Sequence, residues 1–157
     1  MQHQQKTAPA RWRCGLIGLL SLFCAAVQAV TITGVANSHD PAGLIKDGDT
    51  YFHFTTGQGI WYSTSTNLTH WSATSSPVFP SGWPSWINNA VPGFAGAFWA
   101  PDVIQMKGFY YLYYSASTFG SSRSAIGVAR TLSPKNPSWV DLGMVVSSSG
   151  ASSGFFT

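Results

Sequence analysis

An all-β fold of consecutive short-stranded meanders is predicted by three features of the sequence: its composition, its turn signals and an internal repeat. Of 157 residues, 45% are apolar, 15% aromatic and only 8% charged, against about 25% charged in an ordinary soluble domain. So little charge excludes a coiled coil or a disordered polyelectrolyte. Ser, Thr, Gly and aromatics take the place of charge, as in secreted β proteins. The net charge of +3 does not imply a nucleic-acid partner, because Lys6, Arg11 and Arg13 all lie in the first thirteen residues. The remaining five cations balance five Asp, which leaves no basic face for a phosphate backbone.

The amino terminus has the layout of an export signal. Gln2 to Arg13 is polar and cationic, Gly15 to Val27 is apolar, and Val27-Gln28-Ala29 ends in a small residue. Residues 1–29 are therefore expected to be a signal peptide cleaved after Ala29. Its apolar run of roughly 13 residues is shorter than the ~20 that a membrane span needs. The expected product is secreted and extracellular, with no membrane association after cleavage. Cys14 and Cys24 both fall inside the leader, so Val30 to Thr157 holds no cysteine and must be stable without disulfides.

From Ala42 onward, strands and turns alternate. Gly43-Leu44-Ile45, an Asp47-Gly48 turn and Thr50 to Thr55 read as a hairpin, since Asp-Gly between alternating apolar residues is the strongest short-range hairpin signal. Ile60 to Ser65 follows a Gly57-Gln58-Gly59 turn, and a fourth short strand is expected near Trp71. A second series begins at Trp99 to Ile104, turns at Lys107-Gly108 and continues as Phe109 to Ser115, Ala125 to Ala129 and Trp139 to Val146. The repeat runs Gly48 to Gly108, Tyr51 to Tyr111, Ile60 to Ile126 and Trp71 to Trp139, with offsets of 60 to 68. Four strands per period with long loops predict two propeller blades. Tyr51, Tyr111, Tyr113 and Trp139 are expected in the core, and Pro77 to Phe98 as a long ordered loop.

The chemistry must come from few groups. The acids are Asp40, Asp47, Asp49, Asp102 and Asp141, and there is no Glu. Asp47 and Asp49 flank a turn glycine, where Asp serves local hydrogen bonding, and Asp141 is expected at the surface of an edge strand. Asp40 and Asp102 each adjoin a proline at the entrance of an apolar strand, which points them toward the propeller axis. His39, His53 and His70 lack metal-ligand spacing, so no metal site is expected in this chain. No Gly-x-Ser-x-Gly elbow or phosphate-cradling loop is present. Loop aromatics Trp83, Trp86, Trp99 and Phe119 suit stacking on the C–H faces of sugar rings or, equally, packing in the core. Trp99 is favoured for sugar because it lies beside Asp102.

Several motifs in one order then carry a resemblance. Ser38-His39-Asp40-Pro41, the Asp-Gly hairpin, Phe98-Trp99-Ala100-Pro101-Asp102-Val103, Tyr110 to Ser115, and Ser117-Thr118-Phe119-Gly120 to Gly127 resemble the endo-1,5-α-L-arabinanases of glycoside hydrolase family 43. The resemblance spans about Ser38 to Val146 and implies a five-bladed β-propeller, with residues 30–157 as the amino-terminal part of its catalytic domain. It implies Asp40 as the general base of inverting hydrolysis. It also implies His39, Trp99, Asp102, Phe119 and Gly120 as substrate-binding residues, with arabinan as the polysaccharide partner of a monomeric enzyme. Inversion needs a second carboxyl group as acid, about 6.5–9.5 Å from the base. The family supplies a Glu, absent here, so this chain is expected to be a fragment, inactive alone. No cofactor is expected in it; relatives carry calcium on the propeller axis through a later His. An exo-acting arabinofuranosidase or β-xylosidase of the same superfamily, or a non-catalytic sugar-binding propeller, are the alternatives.

Overall fold

Two antiparallel meanders of four strands each form two propeller blades, packed face to face. The computed structural model describes residues 29–35 and 38–148. The signal-peptide reading, Ala29 apart, lies outside the described residues. The elements in chain order are β1 (Thr33–Gly34), β2 (Ile45–Asp47), β3 (Thr50–Thr55), β4 (Gly57–Gln58), β5 (Trp61–Ser65) and β6 (His70–Ala73). Then come a short helix α1 (Trp86–Ala90), β7 (Ala97–Met106), β8 (Phe109–Ser117), β9 (Ser124–Thr131) and β10 (Val140–Ser147). The first sheet has the order β1-β6-β5-β3-β2 and the second β10-β9-β8-β7-β4. No helix among the described residues is long and apolar enough to cross a membrane.

Turn chemistry fixes both inner hairpins. Asp47 pairs with Thr50 around Gly48 (φ 61) and Asp49; positive φ at the first turn residue alone suits a type II′ turn. Met106 pairs with Phe109 around Lys107 (φ 50) and Gly108 (φ 79), and positive φ at both is the type I′ pattern. These pairs set Thr50 against Phe109, an offset of 59 rather than 60. The other expected offsets hold: Thr64 and Arg130 are equivalent at 66, and Ser72 and Val140 at 68.

The one-residue correction moves side chains between faces, since alternate strand residues point opposite ways. The core between the blades holds Phe52, Phe54 and Tyr62 from the first and Phe98, Val103, Tyr110, Leu112 and Tyr114 from the second. Each blade covers its neighbour with a different face, so the buried parity inverts from β3 to β8. Tyr51, Tyr111 and Tyr113 therefore lie half-buried on the two outward faces instead of in the core. Trp139 does pack against the core, its ring edge-on to Phe54 at 5.9 Å.

Two short segments depart from the expected turns and loops. Gly57–Gln58, expected as a turn, forms β4 and crosses to the second blade, pairing with Phe98 and Ala97. The ordered loop at 77–98 contains α1, whose Ile87 is fully buried, and it wedges Val78, Ile87, Val91 and Phe94 between the blades. Trp86 on α1 donates its indole N–H to Asp141 Oδ2 (3.0 Å), and Tyr114 donates its hydroxyl to the other oxygen. Asp141 is thus a half-buried anchor for the loop rather than a surface residue. Burial and the Asp141 carboxylate push the Tyr114 hydroxyl well above its ordinary pKa. Its ring lies over Gly127, where a Cβ would stand 2.4 Å from a ring carbon.

Candidate active site

Asp40 and the Trp99 region meet where the two inner strands begin. Asp40 precedes β2, and Trp99 to Asp102 open β7. The segment around Asp40 is laid along the end of β3 by two backbone bonds, Ala42 N–H to Phe54 O (2.9 Å) and Thr56 N–H to His39 O (3.0 Å). Between Trp99 and Asp102 the register of β7 against β8 slips by one residue, a β-bulge. Two non-glycine residues here have left-handed backbone, Asp40 (φ 45) and Ala100 (φ 39). Such conformations cost of order 1–3 kcal/mol each and cluster at functional sites.

The two strained residues are joined through one hydroxyl. Thr56 donates to Asp40 Oδ2 (3.0 Å) and accepts the Ala100 N–H (2.8 Å). His39 Nδ1–H donates to the same Oδ2 at 2.7 Å. Among the described residues, Oδ1 of Asp40 has no hydrogen-bond partner, and the side chain is 45% exposed. One carboxylate oxygen is held and the other faces solvent, an arrangement able to take a proton from a water.

Next to Ala100 in the chain, Trp99 packs against Phe119 with ring centroids 5.0 Å apart. Phe119 is 94% exposed and lies in a turn with Gly120 (φ 77), closed by Ser121 N–H to Thr118 O. The pair offers an apolar platform of the kind that sugar C–H faces need. Asp102 lies across from Gly43 and accepts its neighbour's N–H, Val103, at 3.0 Å.

The four loop aromatics separate into two kinds. Trp99 and Phe119 pack on each other next to the Ala100 bulge. Trp83 packs edge-on to Phe94 and bonds Asn88, while Trp86 is tied to Asp141, so both serve the interblade loop. The histidines are dispersed: His53 packs on Trp71, its pKa lowered by partial burial, and His70 bonds Thr33. Among the described residues, no three His, Cys, Asp or Glu side chains converge. Thr56 was invisible to sequence reasoning, because Thr55-Thr56-Gly57 reads only as the end of a strand and its partners are 16 and 44 positions away.

Residues 33–155 match the profile of glycosyl hydrolases family 43. The chain is 38% identical over 141 residues to an extracellular exo-α-(1→5)-L-arabinofuranosidase of Cellvibrio japonicus, covering 87% of this chain and 39% of that protein. It is 35% identical over 140 residues to an extracellular endo-α-(1→5)-L-arabinanase of Bacillus subtilis, covering 85% of this chain and 42% of the relative. The structure of a GH43 endo-arabinanase from Bacillus licheniformis superposes with a TM-score of 0.69 at 38% identity, covering 78% of this chain and 41% of that one. The chain spans about two fifths of the length of these relatives. Its two blades are part of the five-bladed β-propeller of such enzymes. A matching profile over most of the described residues, on this fold, means that the chain belongs to glycosyl hydrolases family 43.

Proposed function

We propose that the protein is a secreted, monomeric glycosidase that cleaves α-1,5-linked arabinofuranosyl chains by an inverting, endo-acting reaction. What carries the reading is the state of Asp40: Oδ2 is anchored by His39 and Thr56, Oδ1 has no partner among the described residues, and Thr56 ties the carboxylate to Ala100, the chain neighbour of Trp99. In this reaction the sugar stacks on Trp99 and Phe119, and Asp40 takes a proton from a water as its oxygen attacks the anomeric carbon. The C–O bond to the leaving sugar breaks as an acid protonates that oxygen. Asp102 orders the inner subsite. The chain has no Glu, and we assign the acid to a part of the protein beyond these residues, so that residues 1–157 alone bind without efficient turnover. Export through the leader at 1–29 places the activity outside the cell.

The experiment is to incubate the purified gene product with debranched linear arabinan and size the products over time. Early oligosaccharides of many lengths are expected. An exo-acting reading is favoured by the identity to the Cellvibrio exo-enzyme and predicts one short product from the start. Binding without any cleavage by the gene product would replace both readings with a non-catalytic sugar-binding propeller.

A further inference from the structure

We propose that Thr56 is the positioning residue of the reaction, fixing which oxygen of Asp40 acts as base and where it stands relative to the Trp99 platform. The inference rests on the reading of Asp40 as general base. A threonine hydroxyl has one proton to donate and lone pairs to accept. Here the proton goes to Asp40 Oδ2 at 3.0 Å, and a lone pair takes the Ala100 N–H at 2.8 Å. The backbone N–H of Thr56 also holds the His39 carbonyl at 3.0 Å, so the residue grips the His39–Asp40 segment twice.

Three consequences follow from that geometry. Asp40 precedes the first blade's inner strand and Ala100 sits in the bulge of the second blade's, so the hydroxyl connects the carboxylate to the neighbouring blade. Its two partners are the strained residues, Asp40 at φ 45 and Ala100 at φ 39; such backbone persists only where surrounding bonds over-determine it. Finally, Thr56 and His39 both converge on Oδ2, so the carboxylate is held against rotation and Oδ1 is the oxygen presented to water. His39 is 80% exposed and adjacent in sequence, so it can follow the carboxylate if it turns. Thr56, bonded to a second blade, cannot.

The test uses the whole gene product that carries this chain, with linear α-1,5-arabino-oligosaccharide as substrate. Thr56→Val keeps the shape and removes the hydroxyl. Because small misplacements of a reacting group cost up to about 10²-fold, kcat is expected to fall roughly 10- to 100-fold while KM stays within about threefold. Thr56→Ser is expected to restore kcat to within about twofold of wild type. Against an Asp40→Asn background, Thr56→Val should slow the residual rate no further, since the hydroxyl acts through that carboxylate. An unchanged kcat in Thr56→Val, an equal loss in Thr56→Ser, or a full multiplicative loss on top of Asp40→Asn would each overturn the proposal. If neither Thr56→Val nor Thr56→Ala folds while Thr56→Ser does, the hydroxyl is structural and the proposal is likewise overturned. Undiminished turnover in Asp40→Asn itself would instead remove the base assignment, and Thr56 with it.

Discussion

The two ends of the seam between the blades use the same groups to opposite effect. At one end, Asp47 takes the Ser133 hydroxyl and the Lys135 N–H, and Lys135 Nζ reaches Asp49 at 2.7 Å. At the other, Asp40 takes the Thr56 hydroxyl, which in turn accepts the Ala100 N–H. Both are an Asp, a hydroxyl and a backbone donor spanning two blades. In the first clasp the positive φ falls on Gly48, and Asp49 meets the Lys135 ammonium. In the second, positive φ is forced on Asp40 and Ala100, and one carboxylate oxygen is left open. A glycine would relieve Asp40 but would delete the carboxylate. Positive φ on side-chain-bearing residues also occurs elsewhere, at Ile60, Leu68 and Lys107, so what sets the second clasp apart is the strain joined to an open carboxylate oxygen.

The sharpest way to break this comparison is to neutralise each acid in turn. Asp40→Asn keeps the shape and suits left-handed backbone, so thermal stability should not fall, whereas arabinan turnover should drop by about 10²- to 10⁴-fold with binding kept. Undiminished turnover on the same substrate would make both clasps structural. Gly127→Ala probes the packing that both ends share: its methyl group meets the Tyr114 ring, and denaturant unfolding should read a loss of about 2 kcal/mol. An unchanged midpoint would mean that the ring moves aside freely.

Trp99→Ala tests the platform beside the strained end. Affinity for an arabino-oligosaccharide, measured calorimetrically, should weaken about tenfold, the equivalent of ~1.4 kcal/mol of stacking. Equal affinity would return Trp99 to a packing role.

Asp49→Asn should have the smallest effect. The hydrogen bond from Lys135 holds the Asp49 carboxyl below its ordinary pKa, and Asp49 in turn raises Lys135. The pair's contribution is therefore present at neutral pH. It is lost as pH falls through the lowered Asp49 value, and again as pH rises through the raised Lys135 value. Both groups are exposed and screened by salt, so the melting temperature should shift by no more than about 2 °C. That shift should vanish at high ionic strength. A larger, salt-independent shift would show that this clasp is a main support of the seam.

Much of this molecule was legible in the chain because its signals are local. Asp47-Gly48 and Lys107-Gly108 fix hairpins by their own backbone preferences, and the repeat survives loop insertion because each blade needs the same strands. The face of Tyr51, Tyr111 and Tyr113 was not legible: alternation tells which residues share a face, not which neighbour covers it. Only Trp99 was favoured among the four loop aromatics; Trp83 and Trp86 parted from Phe119 once Trp83 was seen on Phe94 and Asn88 and Trp86 on Asp141. Asp40 and Asp102 stood out as acids beside prolines at strand entrances, and the role proposed for Asp40 comes from the family resemblance of the motif around it. Thr56 had no signal, since its bonds exist only when two blades are packed.

The central claim is that Asp40 activates a water instead of attacking the sugar itself. Proton NMR of the first products from a linear α-1,5-arabino-oligosaccharide, recorded before the anomers equilibrate, tests it directly. The account predicts that the new reducing end appears first as the β-anomer. An α-anomer formed first would mean retention, and would make the carboxylate a nucleophile.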